Sequence, residues 1–164
     1  MTGGSRPGVG GMSIHVTFAS RVGAEHRSAL ERLLFFNGCQ ARVVEGIVEA
    51  IDRYGPPEIQ QEGDWLRVRV AALADVQSLF AIDAGSGVPI GVAVYVRPDL
   101  EHITVLHVGI GEVYCAGGER EGQKVLLRLL RELRRSSRRI KGVRRMRVLY
   151  GEQRERPGAV RDAV

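Results

Sequence analysis

The sequence predicts a mixed α/β domain with a largely antiparallel sheet flanked by helices, and three observations carry that reading. Apolar residues alternate with polar ones in several short stretches, the mark of half-buried strands. Elsewhere they recur at helical spacing. A turn-rich stretch, Ala84-Gly85-Ser86-Gly87-Val88-Pro89, lies between two apolar runs and has the length and composition of a hairpin loop. With 164 residues and 44% hydrophobic content the chain can bury a core as one domain, and 26% charged residues argue against a wholly disordered protein.

Taken in order, residues 1–12 read as a flexible leader, with Met12 as an alternative start. Ser13 to Ser20 alternates Ile14, Val16 and Phe18 with His15 and Thr17, a first strand. Helices are expected over 24–36 and 41–54, from Ala29, Leu30, Leu33 and Leu34 and then from Val43, Val44, Ile47, Val48 and Ile51, broken at Asn37-Gly38. Gly55-Pro56-Pro57 ends the second, because proline cannot continue a helix. Trp65 to Ala71 is a strand by the alternation of Leu66, Val68 and Val70 with two arginines, and 78–83 and 90–97 form the hairpin. The remaining elements are a strand over 103–110, a helix over 123–140, a short strand over 146–150 and a loosely ordered tail from 151.

No apolar run reaches the roughly 20 residues that a membrane-spanning helix needs, so no membrane role is expected. The first residues lack the apolar middle of a secretory signal. Cys39 and Cys115 are far apart in sequence, which suggests neither a zinc cluster nor a disulfide framework; both are expected as free thiols, in a cytoplasmic protein.

The segment from Ile103 to Ile140 combines an apolar strand, a glycine-rich connection from Gly111 to Gly122 and a helix. Small residues opening onto a helix start present backbone N–H groups and the positive end of the helix dipole to an anion such as a pyrophosphate. Gly117, Gly118 and Gly122 permit close approach, while Arg120, Lys124 and Arg128 add charge.

The order strand, two helices, antiparallel strands, glycine-rich turn, helix and strand resembles the GNAT (general N-acetyltransferase) superfamily over residues 13 to 150. Local support comes from Leu106-His107-Val108-Gly109-Ile110-Gly111-Glu112-Val113-Tyr114 and Gly117-Gly118-Glu119-Arg120-Glu121-Gly122-Gln123-Lys124, which look like that family's cofactor strand and pyrophosphate turn. Ile90-Gly91-Val92-Ala93-Val94-Tyr95 is similar to its third strand. The resemblance implies a GNAT-like acyltransferase that binds acetyl-CoA or another acyl-CoA through Val108, Ile110, Gly117, Gly118, Arg120, Gly122, Gln123 and Lys124. It implies transfer of the acyl group to a small-molecule or protein amine. The turn departs from the family's spacing, in which Arg or Gln is followed after two residues by Gly and, after one further residue, by Gly or Ala.

Such transfer needs a base for the ammonium, an oxyanion donor and an acid for the thiolate. His107 suits base duty by its ordinary pKa near 6.5, and strand parity places it with Ile103, Val105 and Gly109, opposite Leu106, Val108 and Ile110. Its other reading is a hydrogen-bonded strand histidine. Glu112 is a second candidate base or a solvated loop carboxylate, and Tyr150 a candidate acid or an amphipathic edge residue. The short stretch after Tyr150 implies an open acceptor pocket: either a second copy completes it in a homodimer, or the fold serves another task.

The charge distribution supports that other task. Residues 124–147 hold 11 Lys+Arg against 1 Asp+Glu, a block of +10 in a chain of net charge +5. Val125, Leu126, Leu129, Leu130, Leu133 and Ile140 form an apolar stripe with arginines around it. The segment from Arg128 to Arg147 could bind nucleic acid or an acidic partner through such a face, or simply solvate it. Aromatic content of 5% offers little for base stacking.

Overall fold

The computed structural model describes residues 13–35 and 44–148. Its strands are β1 (Val16–Ala19), β2 (Val22–Gly23), β3 (Pro57–Glu62), β4 (Trp65–Val70), β5 (Gln77–Asp83), β6 (Pro89–Val96), β7 (His102–Ile110) and β8 (Arg145–Val148). Its α-helices are α1 (Arg27–Leu34), α2 (Val44–Tyr54) and α3 (Val125–Arg138), and 3-10 turns at Ala24–His26, Glu112–Tyr114 and Glu121–Gln123 add to the expected helices. The leader, the tail, Asn37-Gly38, Cys39 and Tyr150 lie outside the described residues.

Mixed α/β architecture with a mostly antiparallel sheet is what the residues form. The main sheet has five strands in the order β1-β5-β6-β7-β8, all antiparallel except β7 with β8, which run parallel across the α3 crossover. The strand over 65–71 corrects the expected meander, because β4 belongs to a separate sheet of order β2-β4-β3 and β1 pairs directly with β5. Alternation in β4 identified a buried face but could not identify a pairing partner. Strand β3, Pro57-Glu58-Ile59-Gln60-Gln61-Glu62, has little apolar content to announce it. It is an edge strand, where Pro57 and its acidic residues are tolerated, and it joins β4 through Gly63-Asp64, with Gly63 at φ 61°.

Two apolar cores sandwich the main sheet. On one face, Leu30, Leu33 and Leu34 of α1 and Leu66, Val68 and Val70 of β4 pack with Phe80, Val92, Val94, Val96 and Leu106. On the other, Val125, Leu129 and Leu133 of α3 pack with Val16, Ala81, Ala93, Val105 and Ile110. Strand β6 is buried on both sides, which explains its uninterrupted apolar text. The α3 stripe is narrower than expected: residues 125, 129, 133 and 137 are buried, whereas Leu126, Leu127 and Ile140 are exposed. On α2 likewise, Val48 and Ile51 face outward.

One irregularity decides which way the central residues of β7 point. Val94 pairs with His107 but Tyr95 pairs with Val105, so Leu106 is an extra residue, a β-bulge. Simple parity therefore fails beyond it. Val105 faces α3, Leu106 lies in the core on the α1 side, and His107 and Gly109 follow Val94 and Val92 to that same side, while Val108 and Ile110 face α3. The α1 backbone sits directly on this surface: a Cβ at Gly109 would come within 2.2 Å of the Leu33 carbonyl oxygen.

Candidate functional site

The connection from β7 to α3 is tightly wound, and its winding uses most of the backbone donors expected to meet a phosphate. Gly111 N–H donates to the Ile90 carbonyl (2.9 Å), prolonging the β6–β7 ladder. Gly118 N–H donates to Cys115 (2.8 Å), Arg120 to Val113 (2.7 Å), Gln123 to Arg120 (3.1 Å) and Lys124 to Glu121 (3.0 Å). The Gly117 N–H donates to Glu121 Oε2 at 3.0 Å, so a carboxylate of the chain itself occupies the place of an external anion there.

The three glycines have different reasons. Gly117 has φ 83°, which disfavours any other residue. A Cβ at Gly118 would come within 2.6 Å of the Glu112 and Val113 carbonyl oxygens. Gly122 is under neither constraint: its φ is ordinary and a Cβ there would meet nothing within 4 Å. Beside it Lys124 holds the left-handed conformation, φ 51° and ψ 44°, the one non-glycine residue with positive φ among the described residues. Lys124 is also the N-cap of α3, with no side-chain cap, so the first-turn N–H groups have no side-chain acceptor from the cap.

Side chains in this region partly serve the fold. Gln123 Oε1 accepts from Ile14 N–H (3.0 Å) and Arg128 donates to the Ile14 carbonyl (3.3 Å), tying the lead-in of β1 to the start of α3. Arg120 donates to the Tyr114 hydroxyl (3.3 Å).

Along β7 the main chain of Val108 and Ile110 points away from β6. The Gly111–Ile90 bond fixes the alternation, so the N–H and C=O groups of residues 109 and 107 face β6 and those of 108 and 110 face the β8 side. On that side the ladder with β8 runs from His102 to Val105 among the described residues. His107 is 4% exposed, on the α1 face, and burial pushes its pKa down to about 4. It is therefore neutral at pH 7 and across the sheet from the side chains of Val108 and Ile110. Glu112 is exposed, one residue beyond Gly111 at the carboxyl end of β7.

Cys115 is disulfide-bonded, which corrects the expectation of a free thiol. The sequence's other cysteine, Cys39, lies outside the described residues.

A second feature lies toward the other end of α3. A cavity of about 800 Å³ opens between its C-terminal half and β8, lined among the described residues by Arg134, Arg138, Arg144, Arg145, Arg147 and His102, with one serine, three apolar residues and no carboxylate. The helical arginines were legible as a charged face; their meeting with the arginines of the following loop and strand was not, though the charge block hinted at it. No cluster of three or more His, Cys, Asp or Glu residues fit to hold a metal occurs among the described residues, and no described helix is long and apolar enough to cross a membrane.

Comparison of the chain with protein-family models, curated proteins and solved structures returns no match.

Proposed function

We propose that this protein is an acyl-CoA-dependent N-acyltransferase of GNAT-like architecture. The observation that carries the reading is the arrangement around β7: a bulged strand, followed by a helix whose start has no side-chain cap, crossing over to a parallel β8. In open α/β sheets ligands favour the crevice at the carboxyl ends of neighbouring parallel strands, where helix N-termini supply anion-binding dipole ends. Bare Gly122 and left-handed Lys124 flank that start, and a strained non-glycine conformation is a common companion of binding sites.

Acyl-CoA would supply a thioester carbonyl for attack by a neutral amine, with the thiolate leaving. The α3 first-turn N–H groups and Lys124 would hold its phosphates, and the outward main chain of Val108 would pair with its amide-bearing arm as an added strand does. The turn would contribute less than three glycines suggest, because Glu121 holds the Gly117 N–H. For proton removal Glu112 is better placed than His107, since a buried imidazole with a pKa of about 4 is a poor acceptor for an ammonium proton.

Calorimetric titration of the full chain with acetyl-CoA tests this. Binding is expected, and Gly122→Trp should abolish it while the melting temperature of the unliganded protein stays unchanged, because open space surrounds that Cβ. No heat at saturating acetyl-CoA, or equal binding by the variant, removes the proposal.

A further inference from the structure

We propose that the arginine-lined cavity is a binding site for a compact polyphosphate, a ligand carrying two or more linked phosphate groups. Five arginines stand at its margin, Arg134 and Arg138 on α3 and Arg144, Arg145 and Arg147 on the loop and strand that follow, alongside one serine and three apolar residues. Drawing its charge from two elements distinguishes it from the face of a single helix. Arg134, Arg138, Arg144 and Arg145 form no ion pair among the described residues.

Two nearby carboxylates among the described residues are already committed, and the exposed Glu101 beside Arg144 does not line the cavity. Glu132 takes two bonds from Arg135, both 2.9 Å, and Asp99 is held by His102 at 2.8 Å. Four guanidinium groups with no ion pair among the described residues repel one another, and multivalent phosphate relieves that repulsion best, since each guanidinium can bind phosphate oxygens bidentately. The helix end cannot supply the attraction, because α3 turns its carbonyl terminus this way and the Ser137 hydroxyl is spent on the Leu133 carbonyl (2.6 Å).

Size and lining favour a small ligand over a nucleic acid. About 800 Å³ is the volume of a small-molecule pocket. Single-stranded nucleic acid binds by tracking a groove and stacking bases on aromatic rings, and among the described residues no Phe, Tyr or Trp lines this cavity. Trp65, the chain's only tryptophan, sits in the other sheet with Arg21 over its ring at 4.8 Å.

Titration of the full chain with inorganic tripolyphosphate decides the matter. Binding is expected to weaken with added salt and to fall roughly tenfold in each of Arg134→Ala and Arg145→Ala, both exposed positions. Arg131→Ala, an exposed arginine of the same helix outside the lining, should bind as the parent does. A nucleoside triphosphate should bind no tighter than tripolyphosphate, because the phosphate chain carries the recognition. Absence of binding, equal loss in Arg131→Ala, or tighter arginine-dependent binding of a single-stranded oligonucleotide overturns the proposal. The acyl-CoA reading stands apart: Gly122→Trp should leave tripolyphosphate binding intact.

Discussion

Replacing Gly109 by alanine measures how closely α1 is seated on β7. The added Cβ would lie 2.2 Å from the Leu33 carbonyl oxygen and 2.8 Å from its carbon, against 3.4 Å or more for ordinary contact. Helix and strand must part by about 1.2 Å along that line. The opposing atoms are backbone, so no rotamer change relieves the overlap, and moving α1 disturbs the buried Leu30, Leu33 and Leu34. Overpacking of a core costs about 1–3 kcal/mol when side chains can adjust, so a loss near the upper end, about 3 kcal/mol, is expected here. For a chain of this size that corresponds to a melting temperature lower by roughly 6–12 °C. Urea and thermal unfolding should be compared with Gly122→Ala, whose Cβ meets nothing and whose stability should stay within about 0.5 kcal/mol of the parent. A Gly109→Ala protein within about 1 kcal/mol of the parent would refute the close seating of α1.

Two further outcomes test the interior and the covalent link. Since burial lowers the His107 pKa from 6.5 to about 4, the unfolded chain binds the proton more readily, and stability should fall by about 3 kcal/mol as the pH drops from 6.5 to 4. His107→Gln should lose that part of the pH dependence in urea titrations; an unchanged difference between pH 7 and pH 4 would show an imidazole accessible to solvent. Reduction should destabilise the protein by about 2–4 kcal/mol through loss of the Cys115 disulfide, and Cys115→Ser should melt identically with and without reductant. Two thiols titrating in the untreated native protein would contradict the bond.

Local patterns in the chain reveal elements more readily than partnerships. The alternation of Leu66, Val68 and Val70 marks β4, and the unbroken apolar text of β6 marks a buried strand, because burial of a face is written in spacing. Which sheet β4 joins depends on tertiary contacts with β2 and β3, and β3 itself is nearly all polar. Parity misplaces His107 relative to Val105 because the extra residue Leu106 is a property of the pairing with β6. At the candidate cofactor turn, the glycines are visible in the text but their reasons are not: only the folded turn separates Gly118, crowded by carbonyls, from Gly122, open to space, and shows Glu121 reaching the Gly117 N–H. The arginine cavity likewise needs two elements brought together, one of which is a strand of four residues.

Strand β8 forms one margin of the main sheet among the described residues, and Arg145 and Arg147 are its exposed side chains. A second molecule aligning its own β8 there would set guanidinium against guanidinium, an arrangement that no ordinary rise in pH relieves because arginine keeps its proton. Uncontrolled growth of the sheet from copy to copy is thus opposed at this margin by permanent like charge, a safeguard that a short strand of Val and Met alone would lack.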